Sequence, residues 1–243
     1  MLQYLVKPEI FSKSEELYLA AREKEGRFFT DPELAELPVV SNNHPYAHEW
    51  KLRAQSLKII SDYLKSKSIV VQSPLLEIGC GNGWVAHQLQ KEGFAVSAMD
   101  VNSKELEQAA RVFPAVNFFY ADIFDAELLG KFDVIILMAS LQYFEDPEKL
   151  IQWLKQKHLN PRGEIIIADT MFYHPKELGN AKQRSNEYYH KIGTPEMADY
   201  YFHHNRNFLN TFSYTALKKS TIFENLAKVF GLSYHPFEIY VIH

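Results

Sequence analysis

From residue 74 onward the chain alternates short apolar runs with longer stretches whose apolar residues recur every three or four positions. The runs at 75–79, 95–99, 116–121, 132–138 and 164–168 are nearly continuous in apolar side chains. A strand that is apolar on both faces must be covered on both faces, as in a parallel sheet held between helical layers. The stretches at 84–92, 103–112, 126–129 and 147–158 carry the helical spacing instead. Strand and helix in alternation, joined by right-handed crossovers, predict an α/β fold. The sheet is doubly wound (Rossmann-like) and mostly parallel, with ligand chemistry at the carboxyl ends of its strands.

The chain before residue 74 follows another pattern. Ser12 followed by Glu15 matches a capping box ahead of an amphipathic helix that runs to about residue 25. A second helix is predicted over 45–65, where Tyr46, Trp50, Arg53, Leu57, Ile60 and Leu64 share one face. Residues 1–73 therefore read as an N-terminal helical cap on a domain spanning 74–243. Residues 170–210, rich in Tyr, His and Asn, interrupt the alternation after the fifth strand and read as a lid insertion over the strand ends. A helix at 220–230 and an extended segment at 232–242 finish the chain, either as one closing strand or as a hairpin.

Composition narrows the partners. The 243 residues are 47% hydrophobic and 23% charged, enough for a sizeable core, with a net charge of -4. Neither a nucleic-acid backbone nor an anionic membrane is expected to attract such a surface. No stretch approaches the roughly 20 apolar residues of a membrane span. The N-terminus lacks a basic start followed by an apolar run, and the one cysteine, Cys80, leaves no disulfide framework. The expectation is a soluble cytoplasmic protein.

The densest chemistry follows the first predicted strand of the domain. Gly79, Gly81 and Gly83 alternate there, with a helix opening directly behind them. Such a loop turns tightly and lets a ligand approach backbone without Cβ atoms intervening. Asp100 follows the second strand, where a carboxylate can accept both hydroxyls of a ribose. Asp122 follows the third, where a carboxylate can accept from an adenine amino group. Either Asp alone is more often a helix N-cap. Together behind a glycine loop they point to an adenosine ligand.

On these residues the chain resembles the class I S-adenosylmethionine-dependent methyltransferases, and among them the bacterial small-molecule type. The resemblance spans roughly 74–170. It rests on Glu77-x-Gly79-x-Gly81-x-Gly83, Asp100, Ala121-Asp122-Ile123, the run from Phe132 to Tyr143, and Leu159-Asn160-Pro161-Arg162-Gly163, where the family usually has Gly for Arg162. It implies a methyl transfer from S-adenosylmethionine to an O, N or C nucleophile of a small-molecule acceptor. It also implies cofactor contacts from Glu77, Gly79, Cys80, Gly81, Gly83 and Met138, with Asp100 on ribose, Asp122 on adenine, and Val101 and Ile123 on the two faces of the adenine ring. Some similar enzymes place an Arg of an N-terminal helix on the cofactor's methionine carboxylate, a role that falls here to Arg53.

Two other classes stay open. Gly81-x-Gly83-x-x-Ala86 also satisfies the dinucleotide fingerprint, as in an NAD(P)-dependent oxidoreductase, but Glu77 and Asp122 then have no work. A non-catalytic nucleotide-binding module is the third. Met138 to Leu141 replaces the Asn/Asp-Pro-Pro-aromatic motif of nucleic-acid amino methyltransferases, and Asp169-Thr170 replaces the Asp-Asn of magnesium-dependent enzymes, so no metal is expected. The acceptor pocket draws its candidates from the cap, the lid and the segment after the fourth strand. Trp50, Tyr143, Tyr173 and His203 are expected in its walls, and His44, His174 and Tyr143 are the candidates for proton transfer. For each His a hydrogen-bonded surface role is the commoner alternative.

Overall fold

The computed structural model of the chain describes residues 1–67, 73–125, 130–219 and 236–243. The helices expected at 126–129 and 220–230 lie outside the described residues, as does 232–235 of the final extended segment. The central strands are β2 (Pro74–Ile78), β3 (Ala95–Asp100), β4 (Asn117–Tyr120), β5 (Phe132–Met138) and β6 (Leu159–Ala168). With β1 (Leu2–Tyr4), β9 (Tyr214–Lys218) and β10 (Ile239–Ile242) they form one sheet in the order β1-β4-β3-β2-β5-β6-β10-β9. Neighbours from β1 to β6 pair in parallel, whereas β10 pairs antiparallel with both β6 and β9. The order reverses direction at β2, so the carboxyl ends of β2 and its neighbours open the crevice that the doubly wound topology dictates.

Burial explains the apolar runs. Leu75, Leu76, Ile135, Ile136, Ile166 and Ile167 are fully buried, alternately in the cores on the two sides of the sheet. One side receives α2 (Asp31–Glu36) through Leu34, α4 (Trp84–Lys91), and α3 (Ala47–Ser66) through Trp50, Leu57, Ile60 and Leu64. The other receives α6 (Pro147–Lys157) through Leu150, Ile151 and Leu154. Among the described residues no helix is long and apolar enough to cross a membrane.

The structure departs from the sequence expectations at four places. First, β1 was not foreseen; it adds a parallel edge strand to β4, with Leu2 opposite Phe118. Second, among the described residues the final segment supplies one strand, β10, and its antiparallel neighbour β9 comes from 214–218, where no strand is expected from the sequence. Third, replacing the family's usual Gly by Arg162 at this turn is expected to matter little, yet Arg162 sits at φ 72, a left-handed conformation that glycine adopts without strain. Fourth, α1 (Ser12–Glu25) has no capping box. Ser12 donates to Glu9 O, and Glu15 instead accepts from Ser103 N (2.8 Å) and Ser103 Oγ (2.6 Å) at the start of α5 (Ser103–Val112). A carboxylate is stabilised there by the unpaired N–H groups of the first turn. Glu15 thus fastens α1 across the strand ends.

The segment after β6 folds as a small unit: a two-stranded parallel pair of β7 (Phe172–Tyr173) and β8 (His204–Asn205), α7 (Leu178–Lys191), and short turns between them. Tyr189 and Met197 pack there with Ala21 of α1.

Candidate functional site

The glycine loop is held open by its own backbone. Gly79, Gly81 and Gly83 have φ of 70, 51 and 74. A Cβ on Gly79 would lie 2.4 Å from Ser140 Cβ, and one on Gly83 2.6 Å from Phe118 Cε1. The first glycine lets β2 and the β5 exit touch, and the third lets helix α4 seat on the sheet. Gly79 N and Cys80 N donate to Met99 O, and Gly81 N donates to Asp100 Oδ2 at 2.7 Å. Ala139 (φ 56) and Asp169 (φ 52), directly after β5 and β6, also occupy left-handed conformations that side chains disfavour. Strain of this kind collects at functional sites.

Two cavities meet at this loop, and Tyr18, Gly79, Gly81 and Ala139 belong to the walls of both. The larger holds about 440 Å³. Asp100, Val101, Asp122 and Ile123 line one end of it, beyond the tips of β3 and β4. Phe11 and Tyr18 of the N-terminal segment cover it, and Tyr143, Phe144, Met197, Tyr200 and Phe202 add walls from the β5 exit and the lid. The smaller holds about 110 Å³ between the glycine loop, α1 and α3, with Arg22, Arg27, Arg53, Glu77 and Glu105 in its walls beside Trp50 and Trp84.

The carboxyl groups divide by what they bind. Asp100 accepts from Gly81 N, Val101 N (2.7 Å) and Asn102 N (2.9 Å), so one side chain sets the loop and the turn after β3. Burial still raises its pKa. Asp122 accepts from Phe124 N at 2.9 Å, the N-cap-like contact that an isolated Asp predicts. Glu77 is 2% exposed; it accepts from Ala86 N in the first turn of α4, while its Oε2 is buried without a hydrogen-bond partner. Burial pushes this carboxyl up to about 8. Glu105 lies against Gly81 and accepts from the Tyr18 hydroxyl; burial, with Asp100 nearby, lifts it to about 7.

The basic groups form a row along the smaller cavity. Arg22 meets Glu25 at 3.0 Å, Arg27 meets Glu25 at 3.1 Å and Glu49 at 2.8 Å, and Arg53 meets Glu49 at 2.9 Å. Against the pull of burial, Arg27 and Arg53 hold the Glu49 carboxyl down to about 2. The row carries three guanidinium groups on two carboxylates, and two further carboxyl groups act on its ends, Glu105 on Arg22 and Asp169 on Arg53.

The structure brings most of the expected residues to the two cavities. Val101, Ile123 and Tyr143 line the larger, while Glu77, Cys80, Met138, Trp50 and Arg53 line the smaller. Gly83 is a packing contact rather than a wall. Tyr173 and His203 lie outside both walls: their rings pack at 5.5 Å, and His203 Nε2 meets Ser185 Oγ at 2.9 Å within the lid. His44 stacks on Phe29 at 5.8 Å and accepts from Tyr46 N; His174 caps the 3-10 turn Pro175–Glu177. Neither histidine reaches a cavity wall. Sequence reading missed Tyr18, Arg22 and Glu105. A signal existed, because Glu15, Tyr18 and Arg22 are spaced by three and four on α1, but a polar helical stripe more often faces water. It also missed Asp169, 6% exposed, whose Oδ1 accepts from Ser56 Oγ and whose Oδ2 is buried without a hydrogen-bond partner. Burial moves that carboxyl up to about 6.

The chain is similar to known proteins in sequence and in fold. A family model described as a methyltransferase domain matches residues 46–219. A ubiquinone biosynthesis O-methyltransferase of Rickettsia conorii is 26% identical over 116 residues, 46% of this chain and 40% of its own length. An uncharacterized methyltransferase of Oceanobacillus iheyensis is 30% identical over 152 residues, 60% of this chain and 69% of its own. The fold matches magnesium protoporphyrin IX methyltransferase from Synechocystis PCC 6803 with bound SAH (S-adenosylhomocysteine). Its TM-score is 0.59 at 17% identity, over 93% of each chain. A plantazolicin methyltransferase in complex with SAH gives a TM-score of 0.56 at 14% identity, over 96% of this chain and 97% of that one. The family model covers well over half of the chain, across the glycine loop and both acidic strand ends, and the chain belongs to the methyltransferase-domain family.

Proposed function

We propose that the chain transfers the methyl group of S-adenosylmethionine to a nucleophile of a small-molecule acceptor. The observation that carries this reading is the pairing of Asp100 and Asp122 at the tips of adjacent parallel strands, in one cavity with Val101 and Ile123. A ribose and an adenine ring fit that end, the ring between the two aliphatic side chains and its edge toward Asp122. The glycine cradle suits the thioether, and the smaller cavity, with the orphaned Oε2 of Glu77 and the guanidinium of Arg53, suits an α-amino acid tail. The single cysteine and the net charge of -4 support a cytoplasmic setting and a free small molecule rather than nucleic acid.

The bound cofactor supplies a methyl group on a sulfonium sulfur, activated without help from the protein. The residues of this chain have the remaining work of orientation and of excluding water. Tyr18, Tyr143 and Tyr200 line the covered space, and burial raises the pKa of Tyr18 and Tyr143, which keeps those two phenols neutral. The walls contributed by the aromatic Tyr143, Phe144, Tyr200 and Phe202 and by Met197 suit a largely apolar acceptor. A base is required only for an acceptor that carries its proton at neutral pH. Calorimetric titration with S-adenosylhomocysteine and with NAD(H) and NADP(H) tests the reading. Micromolar binding of the first alone is expected; binding of a nicotinamide cofactor alone overturns it in favour of the oxidoreductase class.

A further inference from the structure

The junction of the two cavities carries a pair of hydrogen-bond donors that the cofactor reading leaves unused. Tyr143, from the turn after β5, lines the larger cavity, and Arg22, from α1, lines the smaller. The Tyr143 ring stands edge-on between Tyr18 at 5.7 Å and Tyr201 at 5.9 Å, which fixes its hydroxyl in place. Among the described residues that hydroxyl donates to no acceptor, and burial keeps it protonated. Arg22 is held as firmly. Its Nη1 meets Glu25 at 3.0 Å, and its guanidinium lies over the Tyr18 ring, 4.7 Å from the centroid. Its Nη2 reaches Tyr143 Oη only at 3.4 Å, too long for a strong bond. A cationic N–H and a phenolic O–H thus stand side by side, close enough to point at one oxygen atom.

We propose that Arg22 and Tyr143 bind a carboxylate of the acceptor, and that this carboxylate is the group methylated. The inference rests on the methyltransferase reading above and leaves the amino acid end of the cofactor to Arg53 and Glu77. Charge orders the larger cavity along its length. Among the described residues its walls hold no lysine or arginine, and Asp100 and Asp122 repel an anion from the adenosine end. Arg22 stands behind Tyr143 at the junction, so a carboxylate is drawn there while its apolar body packs on Met197, Tyr200 and Phe202. The carboxyl neighbours of Arg22 do not saturate it. Glu25 also binds Arg27 and the Tyr188 hydroxyl, and burial raises Glu105 to about 7, where it is readily neutral. One carboxylate oxygen on the two donors leaves the other free to attack. That oxygen bonds to the methyl carbon as the sulfur–methyl bond breaks; the bonding pair stays on sulfur, and the charges of carboxylate and sulfonium cancel. No proton moves, in keeping with His44 and His174 lying off both walls and Tyr143 remaining a phenol. The product ester has lost the charge that held the acid on Arg22, which favours its release.

The test is calorimetry on the chain saturated with S-adenosylhomocysteine. The probes are 2-naphthoate, whose flat body matches the aromatic walls, and its primary amide and methyl ester. Wild type should bind the carboxylate roughly tenfold or more tightly than either neutral probe. Arg22→Gln should erase that preference, and Tyr143→Phe, which keeps the ring, should reduce it about threefold. Both variants should bind S-adenosylhomocysteine, and 5′-methylthioadenosine, which lacks the amino acid end, within about twofold of wild type, which shows that they are folded. With S-adenosylmethionine carrying a tritiated methyl group, label should enter a naphthoate ester that alkali cleaves. Equal binding of the three probes, or binding of none, overturns the proposal. So does a carboxylate preference that survives Arg22→Gln, or label that never reaches the carboxylate. A selective loss of S-adenosylhomocysteine with 5′-methylthioadenosine retained in Arg22→Gln assigns that residue to the cofactor and overturns the acceptor subsite. A wild-type chain that binds no S-adenosylhomocysteine overturns the methyltransferase reading itself.

Discussion

The two cavities meet at Gly79 and Gly81 yet present a ligand with opposite environments. The larger is walled mainly by aromatic and aliphatic side chains, and its carboxylates Asp100 and Asp122 sit at one end, already accepting from backbone amides. The smaller is crowded with guanidinium and carboxyl groups, two of the latter shifted upward by burial. A ring with a polar edge gains from apolar burial and a few directed hydrogen bonds. A zwitterionic tail gains from paired charges that are strong because water is scarce. The glycine loop has to serve both, and it does so with backbone alone. The difference teaches that affinity should separate into two halves, one insensitive to salt and pH and the other sensitive to both.

The largest expected effect comes from closing the junction itself. Gly79→Ala forces a Cβ into Ser140 at a left-handed φ, at a cost on the order of 3 kcal/mol from overpacking and strain. Thermal unfolding should fall by roughly 10 °C, and neither S-adenosylhomocysteine nor 5′-methylthioadenosine should bind. Retained binding of both would mean that the cavities do not depend on this contact.

Next is Glu77 in the unliganded protein. Its carboxyl is raised from the ordinary carboxylate range to about 8 by burial, so between about 4.5 and 8 the folded state binds more protons than the unfolded one. Stability therefore falls as pH rises through that window. Glu77→Gln removes this slope while keeping an oxygen for Ala86 N. The variant should gain on the wild type between pH 5 and pH 8 by about 2–4 kcal/mol in denaturant titrations. Parallel pH profiles would place Glu77 in contact with water.

In the larger cavity, Asp100→Ala should cost about 1–3 kcal/mol of affinity for both ligands, since ribose contacts are lost. Because Asp100 also fixes Gly81 N, the melting temperature should drop in the same variant. Unchanged S-adenosylhomocysteine affinity would remove Asp100 from the ribose site. The smallest effect is that of Asp122→Ala, about 1 kcal/mol on S-adenosylmethionine. An analogue without the adenine amino group should be nearly unaffected by it. Equal losses for both would leave Asp122 as a cap for Phe124 N alone.

The larger cavity was more legible in the sequence than the smaller. Buried parallel strands write themselves as continuous apolar runs, and Asp100, Val101, Asp122 and Ile123 follow from where those runs end. The smaller cavity depends on contacts between distant segments. Arg22 and Glu105 are 83 positions apart in the chain, and nothing local distinguishes them from solvated helix residues. Glu15 shows the same limit, because its three-residue spacing from Ser12 suggested a local cap whereas the folded chain uses it to cap α5. His44 and His174 lie off both cavity walls for the converse reason: each satisfies its own neighbouring backbone. Strand β1 escaped because three residues at an edge are too few to show a period.

The most direct test of the two-cavity account is a crystal structure of the chain with S-adenosylhomocysteine. It should show the adenine between Val101 and Ile123 with its amino group on Asp122, and the amino acid end beside Gly79 in the smaller cavity. An amino acid end lying instead among Tyr143, Tyr200 and Phe202, with the smaller cavity holding only solvent, would contradict it.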